Sequence, residues 1–521
     1  MGTLEQDGGK LRVLVHIRES ADGTLEGTMD NLDVGWMHIP ITVSTFQDFT
    51  LRFQAWRIDG LYEGKIARDG ETIKGTWRMD KDATPLTLRR VQPSPIEGIW
   101  KGTLRVPGME LRLVFYIASS PDELIAAMKS CDQGDAMIPM GSVKLIGKAI
   151  IMEALAIAAR FEGKVDQGGD AIEGTWNQGS LALPLTLQRI AEEEEDAGRP
   201  QDPVPPYPYG EEEVRYRNER AGCELAGTFT IPEGDGPFPA VLLIAGSGAL
   251  DRDERMNRHR PFLVLADYLT RRGIAVLRAD KRGVGESGGD HITATTTDFA
   301  MDAEAGVAFL ETRGEVDRHR IGVLGHSEGG EIACMLAARN STLAFIVLMA
   351  APGVPGWILA GQQARRTAEL HGLDPEAAAQ HNMEVAVLLR DEKDDAILRR
   401  KLEQKLSGVA EPQRSARIQY LTLPWQREAV GMNPAEHLAR VKCRVLALNG
   451  EKDVTVDAKS NLAGIREALE SGGNSHFHIA ELPGLNHLFQ TCTTGSDTEY
   501  GQVEETLAPA AMELVAEWIR S

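Results

Sequence analysis

Hydrophobic and polar positions change rhythm twice along these 521 residues. Over the first third, short aliphatic runs such as LRVLVHI from Leu11 and LRLVFYI from Leu111 alternate with DG, GG and PD pairs, and helical periodicity is poor. That texture predicts short strands joined by tight turns, an antiparallel meander closed as a barrel or stacked as a sandwich. Phe161–Arg189 echoes Tyr62–Arg90, and Gly75-Thr76-Trp77 maps onto Gly174-Thr175-Trp176 at an offset of 99 that Asp33/Asp132 and Pro40/Pro139 keep. Two copies of one unit therefore fill residues 1–91 and 96–190 of an all-β domain spanning 1–190. Trp77 and Trp176 are expected in its core. The opening MGTL matches only the tail of IEGIWKGTL in the second copy, so the N-terminus is read as trimmed and gives no localisation.

After residue 213, apolar runs (AVLLIAG, IAVLRAD, RIGVLGH, AFIVLMA, RVLALNG, FHIAEL) alternate with amphipathic stretches such as RPFLVLADYLTRRG. This order calls for α/β architecture, a mostly parallel sheet with helices on both faces. Nearly a hundred residues separate the runs at Phe345 and Val445, far more than a crossover needs. Helical periodicity there predicts a cap over residues 355–435, inserted into a domain made of 214–354 and 436–521. Trp357, Met383, Tyr420, Leu421 and Trp425 of the cap, with Phe489 beyond it, are candidates to line a pocket or to pack among themselves.

Charge refines the picture. With 56 basic and 77 acidic residues the formal charge is −21, and Ala191–Glu213, a Pro-rich linker with nine acids and one Arg, holds −8 of it. Such a chain repels phosphate backbones, so nucleic acid is not an expected partner. The 18-residue charge-free stretch Ala344–Gly361 contains Pro352 and Pro355, which favours a buried strand and turn over a membrane span. Five scattered cysteines form no CxxC pair, so no disulfide framework or zinc knuckle is expected.

Candidate chemistry centres on Gly325-His326-Ser327-Glu328-Gly329, a G-x-S-x-G phrase directly after a strand and before a helix. Such a turn thrusts the serine hydroxyl above the sheet's carboxyl edge, and the helix N-terminus favours developing negative charge. A serine needs a base and an orienting acid. Asp453 follows one strand and His487 follows the last, in the order Ser, acid, His. Asp457, the competing acid, is expected to cap a helix. Backbone N–H groups of Glu328 and of Ser247 or Gly248, in the Gly246-Ser247-Gly248 turn, are the candidate oxyanion hole. Gly283-x-Gly285-x-x-Gly288 imitates a dinucleotide fingerprint, but no helix opens inside it, so no cofactor is expected there. No metal site or other cofactor is called for.

The phrases GSG (246–248), RADKRGVGESGG (278–289), GHSEGG (325–330), GEKD (450–453) and GLNH (484–487) resemble the α/β-hydrolase superfamily, especially bacterial serine carboxylesterases and serine-aminopeptidase-like hydrolases. The resemblance implies an α/β-hydrolase fold, a cap, an N-terminal β module as in similar bacterial esterases, and a loop at 278–289 that borders the active site. One departure is Ala245-Gly246 where the family often has His-Gly. The expected activity is hydrolysis of carboxylic esters, short- to medium-chain acyl esters first, on a small-molecule substrate. Rival readings are a peptidase or thioesterase with the same triad, and a carbohydrate- or lipid-binding protein acting through the β module. The sequence leaves the oligomeric state open, a homodimer included.

Overall fold

The computed structural model describes residues 1–521 apart from 7–8, 20–24, 32–35, 56–59, 80–81, 107–108, 122, 133–136, 155–156, 158, 179–180, 192–197, 371 and 410–412. Asp33 of the repeat and the glutamate run of the linker lie outside the described residues. The chain divides into two compact units, one of residues 1–131 with 136–195, the other of 132–135 with 196–521.

The first unit is all antiparallel. Strands β1 (Gly2–Gln6) to β8 (Asp82–Arg89) form one sheet in sequential order, and β9 (Gly98–Val106) to β17 (Leu181–Ile190) form a nine-stranded second. Both sheets curl shut. Arg89 N–H donates to the Met1 carbonyl at 2.7 Å, joining the last strand of the first sheet to its start. In the second, the N–H groups of Met140 and Gly141 donate to Ala126 and Glu153, on strands near opposite ends of the sheet. Closure satisfies the strand edges that an open meander leaves bare. Each interior is filled by aromatic rings: Phe53, Tyr62 and Trp77 in one, Phe115, Phe161 and Trp176 in the other. Trp77 pairs across strands with Tyr62, and Trp176 with Phe161. Beside them the same glycine recurs, because a Cβ on Gly75 or Gly174 would stand 2.3 Å from the carbonyl oxygen of Glu63 or Glu162. The sequence repeat is thus a repeat of barrel packing. Both tryptophans are interior, which does not favour their use as a ligand platform.

The second unit is built on strands β18 (Gly210–Asn218), β19 (Cys223–Ile231), β20 (Phe238–Ile244), β21 (Ala275–Ala279), β22 (Val316–His326), β23 (Phe345–Met349), β24 (Arg444–Gly450) and β25 (Phe477–Leu482). Their spatial order is β18-β19-β21-β20-β22-β23-β24-β25, parallel from β21 onward and antiparallel at β18 and β19. Gly210–Glu213, read above as the end of the linker, belong to β18 instead. Glutamates at 211, 212 and 213 face outward while Val214 and Tyr216 turn in, and a run of acids hides that alternation.

The central strands are buried on both faces. On β20, Leu242 and Ile244 enter one core, and Val241 and Leu243 the other, as a two-residue period demands. Helices α1 (Pro261–Thr270) and, at the chain's end, Pro509–Arg520 cover the second face with Phe262, Leu265, Val515 and Ile519. Helices α2 (Thr296–Thr312), α3 (Glu328–Ala337) and Ala458–Ser471 cover the first with Val307, Ile332 and Ile465. Among the described residues six helices stand between β23 and β24: α4 (Gly356–Leu370), α5 (Pro375–Asp391), α6 (Asp395–Lys405), α7 (Gln413–Leu421) and α8 (Pro424–Gly431), in the segment read above as a cap, and the short Pro434–Leu438 after it. Leu389, Leu398, Leu402 and Ile418 give the cap a small core of its own. Among the described residues no helix is long and apolar enough to cross a membrane.

Candidate active site

Strand β22 ends at His326 and α3 begins at Glu328, so Ser327 alone makes the turn. Its φ of 54° and ψ of −120° lie where only strongly supported non-glycine residues persist. The support is close packing. A Cβ on Gly325 would stand 1.9 Å from the Gly329 carbonyl oxygen, and one on Gly329 would stand 2.0 Å from that of Ile244. Only glycine at both positions lets helix and strands approach this closely. Ser327 remains partly exposed between buried neighbours.

Asp453 lies on the loop after β24 and His487 on the loop after β25. The structure brings them together: His487 Nδ1 donates to Asp453 Oδ2 at 2.7 Å, with both side chains buried. The other oxygen of Asp453 accepts from Thr455 and Val456 N–H, each at 2.8 Å, which fixes the orientation of the carboxyl group. Asp457 instead accepts from Ser460 N–H and caps the helix Ala458–Ser471. His487 is tied to the elbow through its own backbone, because His326 Nε2 donates to the His487 carbonyl at 3.0 Å and the two rings lie 4.9 Å apart.

The turn that holds the oxyanion-loop candidates adjoins the elbow at Gly246. A Cβ on Gly246 would meet Ser327 Cβ at 3.3 Å. Gly248 adopts φ 103° with open space around it, and its carbonyl accepts from Leu250 N–H at 3.0 Å. Ser247 and Gly248 are exposed, and Glu328 opens α3.

Four charged groups around this centre went unread in the sequence. Glu254 Oε1 accepts from Gly246 N–H at 2.7 Å and from His326 Nδ1 at 2.9 Å. Both His326 nitrogens thus face oxygen atoms, an arrangement that suits a ring with a proton on each nitrogen. Burial pushes its pKa down, but the Glu254 carboxylate and the His487 carbonyl more than offset this, and it is raised. The Glu328 side chain accepts from Thr296 Oγ1 at 2.7 Å, from Lys281 Nζ at 3.1 Å and from Trp425 Nε1 of the cap at 2.5 Å. Burial pushes this carboxyl up, and the Lys281 charge with these donors reverses that and lowers it. Lys281 Nζ also donates to the Gly246 carbonyl at 2.5 Å. The segment 278–289 therefore serves the site through an ammonium. Gly285 packs against Asp280, whose carboxylate would lie 2.6 Å from a Cβ there, and α2 starts only at Thr296.

One turn beyond Ser327, Glu331 is 7% exposed, and burial, then the charges of Glu328 and Glu428, push its carboxyl up to about 8. Glu428, on α8, accepts from both the N–H and the hydroxyl of Thr297, a second tie between cap and core. Of the pocket candidates, Trp425 reaches the centre. Trp357 and Leu421 pack within the cap, Met383 lies against Gly361, Phe489 is fully buried beside His326, and Tyr420, at 51% exposure, stands in solvent.

Residues 256–491 match the family model Hydrolase_4, described as serine aminopeptidase, S33. The chain is similar to esterase EstD of Thermotoga maritima, 37% identical over 25% of this chain and 31% of that protein. It is similar to esterase FrsA of Escherichia fergusonii, 31% identical over 23% of this chain and 27% of that protein. It is also similar to an uncharacterized 31.7 kDa protein of the traX-finO intergenic region of Escherichia coli, 25% identical over 49% of this chain and 90% of that protein. The chain thus spans under a third of the length of these two esterases. The sheet with its reversed first strands, the strained serine turn between β22 and α3, and the family model matched over residues 256–491 together make this part of the chain similar to an α/β-hydrolase domain.

Proposed function

We propose that this protein is a serine carboxylesterase, with the acid–imidazole pair of Asp453 and His487 beside the Ser327 turn as the observation that carries the reading. Ser327 Oγ attacks the ester carbonyl while His487 Nε2 takes the hydroxyl proton. Asp453 fixes the imidazole's tautomer through Nδ1–H and stabilises its cation. The negative oxygen is held by the N–H groups of Glu328 and of the 246–248 turn, donors worth about 2.7–4 kcal/mol each in such sites. The C–O bond to the alcohol breaks as His487 returns the proton to the leaving oxygen. Water then attacks the acyl-enzyme by the same route, releasing the acid and restoring Ser327. Cap contacts at Glu328 and Thr297 tie α8 to the core beside this centre. The residues call on no cofactor for these steps.

The test is a p-nitrophenyl ester panel from acetyl to palmitoyl on native and Ser327→Ala protein, with aminoacyl anilides and acyl thioesters alongside. The proposal expects turnover greatest on short to medium acyl chains and a loss of about four to six powers of ten in the variant. Esterase activity surviving in Ser327→Ala rejects the assignment. Anilides or thioesters turned over in preference to esters move it to a peptidase or thioesterase.

A further inference from the structure

The two residues flanking Ser327 are both buried, and each meets a buried partner of complementary chemistry: His326 meets Glu254, and Glu328 meets Lys281. Both partners also hold the same glycine. Glu254 takes the Gly246 N–H and Lys281 takes the Gly246 carbonyl. Gly246 has no side chain, and its nearest neighbours are Ser327, Glu254 and His326. Its N–H and its carbonyl are each held by the side chain of a buried ionisable residue.

Resting on the esterase reading, we propose that Glu254 and Lys281 are positioning residues that clamp the Gly246–Ser247 peptide in register with Ser327 and turn the Ser247 N–H into the oxyanion hole. The geometry follows from the planar trans peptide, in which C=O and N–H point in opposite directions. The Gly246 carbonyl is drawn inward to a buried ammonium. The Ser247 N–H of the same plane therefore points outward, to the open side where Ser247 is exposed and Ser327 partly so. Glu254 fixes the preceding peptide, so the segment is held on both sides of one α-carbon. Each clamp residue also grips a neighbour of the nucleophile, so the hole and the attacking oxygen keep their spacing as one body. An oxyanion hole acts through preorganisation, and donors that swing freely lose most of their effect. Gly248, with its positive φ, supplies the bend and is not the donor.

The experiment compares the native enzyme with Lys281→Met, Lys281→Arg and Glu254→Gln on p-nitrophenyl butyrate. It adds the affinity of a trifluoromethyl ketone, which mimics the tetrahedral oxyanion, and fluorophosphonate labelling of Ser327. Lys281→Met is expected to lower kcat about tenfold or more with KM within about twofold, and to weaken the ketone by the same factor. Lys281→Arg recovers most of both. Glu254→Gln lowers kcat in the same way. Should Lys281→Met fail to fold, replacing the Gly246–Ser247 amide by an ester removes the donor directly. It is expected to cost about a hundredfold in kcat, against little for the Ser247–Gly248 ester. Folded Lys281→Met or Glu254→Gln protein that keeps native kcat and ketone affinity, while Ser327 is still labelled, overturns the clamp alone. So does an ester effect confined to Gly248. Native protein that is not labelled at Ser327 overturns the esterase reading and the clamp with it.

Discussion

Replacing Glu331 with Gln tests whether the helix behind Ser327 carries a buried neutral carboxyl. In the unfolded chain this group ionises near 4.5, and in the folded protein near 8. Below the lower value both states hold the proton, and Glu331 contributes no pH dependence. As pH rises the unfolded chain releases its proton first, so folding stability falls, and it levels off only above the higher value. Between pH 5 and 7 the loss is roughly 2.5 kcal/mol, close to one proton over two pH units. Gln fills nearly the same volume and does not titrate. Urea unfolding of native and Glu331→Gln protein at pH 5 and pH 7 should show the variant gaining roughly 2.5 kcal/mol on the native protein between the two. A difference constant to within about 0.5 kcal/mol would mean that Glu331 is ionised in the fold and would refute its burial beside the charges of Glu328 and Glu428.

Other outcomes follow from the same geometry. Asp453→Asn should lower kcat by about 10⁴ while leaving the fold intact by circular dichroism, because the amide favours the wrong tautomer of His487. Gly329→Ala should yield insoluble or unfolded protein, since the added carbon would stand 2.0 Å from the Ile244 carbonyl oxygen, where neither helix nor strand can yield; soluble, active variant would contradict the tight elbow. Trp425→Phe removes a donor to a buried carboxylate, so about 1.5–3 kcal/mol of cap docking should be lost, read as faster limited proteolysis of residues 355–435. Trp176→Ala should cost about 3–5 kcal/mol in the unfolding of the β unit by leaving a void in its second barrel.

Much of the fold was legible because burial imposes simple periods. Continuous apolar runs marked strands covered on both faces, and spacing marked the cap helices. The loops carrying Asp453 and His487 were readable because each follows such a run. What escaped was charge in the interior. Glu254 sits in ALDRDE and Lys281 in RADKRG, segments whose polarity reads as solvated loop, and nothing local tells a lysine that will pair inside from one that faces water. The same masking hid the start of β18, where exposed glutamates overlie an alternating inner face. The glycine rule at the elbow was legible as a motif, whereas the roles of its two variable positions depend on partners 72 and 47 residues away.

Those two positions matter to anyone who would redesign this protein. In a G-x-S-x-G phrase the x residues look like free choices, and a mutant library would ordinarily include them. Here each is locked to a counter-charge that also grips the glycine across from the nucleophile, so single exchanges at 326 or 328 strand a partner in the interior. Diversity introduced along the exposed faces of α4 and α7 leaves that wiring intact, whereas α8 carries Trp425, which is part of it.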